Sequence, residues 1–107
     1  MAPSFAAEPE ELVERFVRAW NKGDAGDIAS LFTSDADFVN VVGLWWRSRE
    51  EIERAHAYGF KRIFGGARLD LERVEVKHLA DRIATIHGRW VLRGQAPPAA
   101  GSAARAR

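Results

Sequence analysis

His56 is the side chain best suited to move a proton, because an imidazole titrates close to neutral pH. It follows Ile52 and precedes Phe60 (or Gly59) and Ile63 at helical spacing, which puts it on an apolar helix face directed at the interior. The same position suits a histidine that is merely packed in the core. Asn40 ends a strand-like run and offers one acceptor and two donors, enough to orient a ligand at a pocket floor or to bond neighbouring backbone. His56 and Asn40 are the catalytic candidates. Asp37 alternates onto the opposite face from the pocket and reads as a solvated or dimer-facing carboxylate.

Other chemistries find no residues. The chain has no cysteine, so it has no thiolate nucleophile, disulfide or zinc-thiolate site. Neither His-x-His nor His-Glu-x-x-His occurs, and no metal is expected. Without a Gly-x-Gly-x-x-Gly or a P-loop, no cofactor is expected either. What the sequence does supply is aromatic area. Phe16, Trp20, Phe38, Trp45, Trp46, Phe60 and Trp90 are the candidate ligand contacts, suited to flat polycyclic molecules and equally to core packing. Arg47, beside Trp46, either meets an anionic group at the mouth or is solvated.

Positioning these side chains requires helices first and strands after. Residues 8–22 carry Leu12, Val13, Phe16, Val17 and Trp20 on one helical stripe, with Pro9 and three glutamates at the start and Gly23 as the stop. Asp24 caps a second helix reaching to about Thr33, with Ile28, Leu31 and Phe32 inward. Residues 37–42 read as a strand with Phe38, Asn40 and Val42 on one face, ended by Gly43. Ser48-Arg49-Glu50-Glu51 is a capping box that opens a third helix, closed by Gly65-Gly66. Two long strands follow. In the first, Leu69, Leu71, Val74, Val76 and His78 alternate with charged residues, and the phase slips at Glu72 and Arg73 as a bulge requires. The second, residues 83–92, carries Ile86, Trp90 and Leu92 on one face and His87 on the other.

A chain of 107 residues, 47% hydrophobic and 29% charged, is one globular α+β domain. Its formal charge of +1 is spread along the chain, so nucleic acid is not an expected partner. No apolar run approaches a membrane span, and residues 1–9 are unlike a secretory signal, so a cytoplasmic protein is expected. Residues 1–7 are taken as a flexible N-terminus, 8–93 as the domain, and 94–107 as a disordered tail of Ala, Pro, Gly and Arg.

The run Arg15 to Asp24, followed by Leu31-Phe32, residues 35–40 and Gly43, resembles the SnoaL-like branch of the nuclear transport factor 2-like superfamily. Trp45-Trp46 and His87-Gly88-Arg89-Trp90 narrow the resemblance to the SgcJ/EcaC family. The resemblance implies a cone-shaped fold with three N-terminal helices packed in a strongly curved, mostly antiparallel sheet, an apolar cavity, and a homodimer through the outer sheet face. It also implies two further strands after residue 93, which this sequence does not supply. A shifted or truncated reading frame, a shortened chain, or completion by strands from a second chain would each account for that, and truncation is the reading taken. In the superfamily's ketosteroid isomerases a carboxylate base and an acidic tyrosine stand where this sequence has Asn40 and Phe16, so that activity is not expected.

The function read from the sequence is a pocket for a hydrophobic or polycyclic metabolite, acting as an accessory enzyme or binding protein with the reaction open. The alternative is a non-catalytic dimerisation or protein-interaction module that uses the outer sheet face and the exposed edge strand.

Overall fold

A computed structural model describes residues 8–94. The expected flexible segment 1–7, and all of the expected tail except Gly94, lie outside the described residues. Helix α1 spans Pro9–Lys22, with Pro9 at its start and Glu10 and Glu11 in the first turn. It ends where Gly23 turns left-handed at φ 69°, a conformation that side chains with a Cβ avoid. Helix α2 is Ala25–Ala29, and the carboxylate of Asp24 accepts the Asp27 N–H at 2.9 Å. The helix stops short of the expected Thr33. Beyond Ala29 the chain tightens: the N–H of Leu31 donates to Ile28 and that of Phe32 to Ala29, three residues back rather than four.

Strands β1 (Phe38–Val39) and β2 (Trp45–Trp46) form a short antiparallel pair, with Phe38 opposite Trp46 and Val39 opposite Trp45. The strand expected over residues 37–42 is cut short by a turn at Asn40, whose N–H donates to the Leu44 carbonyl at 2.9 Å. Val42 therefore does not share an inner face with Phe38. It sits in the turn, 75% exposed. Helix α3, Arg49–Arg62, opens as the capping box predicts: the Glu51 N–H donates to Ser48 Oγ at 3.2 Å. The Glu51 carboxylate accepts the N–H of Arg47 at 2.8 Å, one residue before the expected partner.

Strands β3 (Arg68–Ala80) and β4 (Ile83–Arg93) make the long hairpin. Its register slips between Leu71 and Arg73, at the predicted bulge. Cross-strand pairs place Leu69 with Leu92, Leu71 with Trp90 and Val76 with Ile86 on the face toward the helices. The other face carries Arg73 with Arg89 and Glu75 with His87. The described residues hold two two-stranded sheets rather than the single strongly curved sheet expected.

Helix α1 lies against β3 and β4, and α3 packs on α2. Ile28 and Ile52, both 0% exposed, sit at the centre of the core with Val17, Trp20, Ala67 and Leu69. Two features bring α1 close to the hairpin. Gly88 leaves room on β4 where a Cβ would stand 3.0 Å from a Val13 methyl. The Asn21 amide pairs with the peptide of Leu69: its Nδ2 donates to the Leu69 carbonyl at 3.0 Å, and its Oδ1 accepts the Leu69 N–H at 2.7 Å.

Candidate functional site

Between α1, the turn after α2, β1 and β4 lies an apolar cavity of about 400 Å³. The stripe of α1 contributes Leu12, Val13 and Phe16, and the tightened turn after α2 contributes Leu31 and Phe32. Phe38 closes one wall, and alternation along β4 sends Ala84, Ile86 and Trp90 into the other. Phe16 joins the two sheets across the floor. Its ring stacks on Trp90 at 5.9 Å and on Phe38 at 6.5 Å between centroids.

Of the sequence-based ligand contacts, Phe16, Phe38 and Trp90 line this cavity. Trp20 and Phe60 border a different cleft of about 340 Å³ beside Gly65 and Gly66, where their rings meet edge to face at 5.3 Å. Trp46 stands behind Phe38 at 5.4 Å and supports it from outside the cavity. Trp45 faces away. It is 56% exposed, its indole N–H donates to Asp37 at 2.9 Å, and the Arg47 guanidinium lies over its ring at 4.4 Å. One step along β2 separates the fates of the two tryptophans, since adjacent residues of a strand point to opposite faces.

The two candidates for chemistry are placed apart from the cavity lining. Asn40 does not reach a pocket floor, because its side-chain oxygen accepts the N–H groups of Val42 at 3.0 Å and Leu44 at 2.8 Å and so builds the β1–β2 turn. His56 is held on α3 by its Nδ1–H, which donates to the Ile52 carbonyl at 2.8 Å. That bond fixes the tautomer and leaves Nε2 as a base within an aromatic box of Phe16, Phe38, Trp46 and Phe60. Phe16 and Phe38 stand between the imidazole and the cavity they line. His56 thus supports the floor rather than forming it.

Burial holds the His56 pKa below 6.5, a fall only partly offset by its bond to the Ile52 carbonyl. The unfolded chain therefore takes up a proton first as the pH drops, and stability is lost below that value rather than gained. The unfolding midpoint is expected to decline as the pH falls below 6.5. His56→Phe, which keeps a ring in the box, is expected to flatten that decline. An unchanged slope in the variant would assign the acid sensitivity to other groups.

Several lining residues were not singled out from the sequence as ligand contacts. Periodicity puts Leu12, Val13, Leu31, Phe32 and Ile86 on inward faces, but it finds the face and not the gap between faces. Ala84 carries no sequence signal of its own. Among the described residues no cluster of three metal-ligating side chains occurs, and no helix is long and apolar enough to cross a membrane.

The chain belongs to the SnoaL-like domain family, whose profile matches residues 13–107. Among solved structures it is similar to an uncharacterised cystatin-like fold protein from Caulobacter vibrioides, with 30% identity and a TM-score of 0.76, covering 82% of this chain and 62% of that one. A domain of unknown function from Nostoc punctiforme gives 26% identity and a TM-score of 0.72 over 90% of this chain and 60% of that one. A scytalone dehydratase candidate from Novosphingobium aromaticivorans matches at 12% identity with a TM-score of 0.68, over 78% of this chain and 55% of that one. The chain thus spans less than two thirds of the length of these three relatives. Their shared architecture is the cystatin-like, nuclear transport factor 2-like fold. No protein of curated function matches the chain.

Proposed function

We propose that this chain binds a hydrophobic, flat polycyclic small molecule in the cavity between α1, β1 and β4, within the SgcJ/EcaC branch of the SnoaL-like family. The observation that carries the reading is the lining. Every side chain around the cavity is apolar, and the stacked Phe16 and Trp90 rings offer planar faces to a planar ligand. Trp45-Trp46 and the His87-Gly88-Arg89-Trp90 run support the narrower branch.

The arrangement favours binding over chemistry. No acid, base or nucleophile stands among the cavity-lining residues, and the base on His56 Nε2 is screened by the floor. The scytalone dehydratase candidate shares too little sequence to lend more than its fold.

Thermal unfolding and tryptophan emission of the purified chain, with and without a panel of polycyclic aromatic and steroid-like compounds, tests the proposal. One structural class is expected to raise the midpoint and to change the emission of Trp90, because a ligand selective for the native state stabilises it. A midpoint indifferent to every compound at its solubility limit would remove the proposal.

A further inference from the structure

A second cavity, of about 240 Å³, lies between α1 and α2 and shares Leu31 with the apolar one. Its other lining residues are Arg15, Arg18 and Lys22 on α1, with Asp27 and Ser30 opposite them. Positions 15, 18 and 22 recur at helical spacing, so one stripe of α1 carries three cations into one cleft.

Only one of those cations is neutralised. Lys22 Nζ holds the Asp27 carboxylate at 3.0 Å. Among the described residues Arg15 and Arg18 form no ion pair. Glu11 and Glu14 each stand four positions before one of them, a spacing at which helical pairs can form, yet neither is engaged. Ser30 adds no donor, since its hydroxyl already donates to the Asp27 carbonyl at 2.6 Å. The cleft thus keeps two guanidinium groups, each with five N–H donors, that no carboxylate of the described chain engages.

Arg15 is the one placed to serve the apolar cavity as well. Leu12, which lines that cavity, precedes it by three positions, and such residues are neighbours on a helix surface, about 5–6 Å apart at Cβ. Phe16, on the cavity floor, follows Arg15 directly, and Leu31 borders both spaces. Helix α1 therefore sets an aromatic floor and an unengaged guanidinium side by side.

We propose that the ligand of the apolar cavity is a polycyclic acid. Its rings lie against Phe16 and Trp90, and its carboxylate accepts two N–H bonds from the Arg15 guanidinium, with Arg18 adding positive charge from the next turn. The inference rests on the reading of the cavity as a site for polycyclic molecules. Both arginines are exposed, so a small anion without rings would gain little from them against water, and the apolar body supplies most of the binding.

Fluorescence titration with two matched probes, 2-anthracenecarboxylate and 2-anthracenemethanol, is the test, at low salt and at neutral pH, where the acid is ionised. The carboxylate is expected to bind about fivefold more tightly than the alcohol, and about 0.5 M salt is expected to remove most of that preference. Arg15→Gln is expected to lose most of the preference while the affinity for the alcohol and the unfolding midpoint stay at their native values, because Arg15 makes no ion pair in the free chain. Arg47→Gln, which removes an equal charge beside Trp45, is expected to keep the preference. Equal affinity for the two probes in the native chain, or a preference that survives Arg15→Gln, would overturn the inference and leave the polycyclic site standing. Binding of neither probe would overturn both.

Discussion

Replacing Ile52 by alanine is expected to cost about 2–5 kcal/mol of unfolding free energy, a large share of the roughly 5–15 kcal/mol available to a domain of this size. Ile52 is 0% exposed and belongs, with Ile28, to the core where α2 and α3 meet. Truncation removes apolar area and leaves a void that two helices, each tied to its own cap, cannot easily close. The contrast is Ile63, on the same predicted helix stripe yet 41% exposed just after the last turn. Its alanine variant should lose less than about 1 kcal/mol. Urea denaturation of both variants measures the pair. A loss below about 1 kcal/mol at Ile52 would mean that the α2–α3 contact is not the centre of the core.

The second large effect concerns binding. Leu12→Asp is expected to weaken a neutral polycyclic ligand by about tenfold or more, because a carboxylate at the cavity rim must give up hydration when the ligand covers it. Leu12 lines the cavity but is 43% exposed, so its loss removes little from the core. An acidic residue this near the start of α1 also suits the positive end of the helix. The midpoint of the free protein should therefore stay close to the native value while ligand-induced stabilisation shrinks. Unaltered affinity in the variant would place the ligand elsewhere, with the Trp20 and Phe60 cleft the next place to look.

Much of the frame was legible because its causes are local. The Asp24 and Ser48 caps, the Gly23 stop and the bulge near Glu72 each depend on a few adjacent residues, and each is found where those residues put it. The first strand is shorter than its residues suggest for an equally local reason that runs the other way. Valine at 39, 41 and 42 reads as strand, but the Asn40 side chain captures two N–H groups and turns the chain. Trp45 and Trp46 could not be told apart by composition, since only the register opposite Phe38 decides which ring faces inward. Helical spacing puts His56 on an inward stripe, and its ring meets Phe16 and Phe38. That it lies behind Phe16 and Phe38 depends on contacts between three separate elements, α1, β1 and α3, which no periodicity encodes.

The pairing of Asn21 with Leu69 bears on how this scaffold can diversify. Forty-eight positions of chain separate the two residues, yet the side-chain amide meets the peptide as another strand would, with one bond given and one received. The seat of α1 on β3 is thereby set by polar groups of fixed geometry, at the end of the helix remote from Leu12. Residues around the cavity are then free to change in bulk without letting the helix slide along the hairpin. A lineage could exchange one guest for another by altering leucines, phenylalanines and alanines alone, while the asparagine kept the walls at a constant spacing.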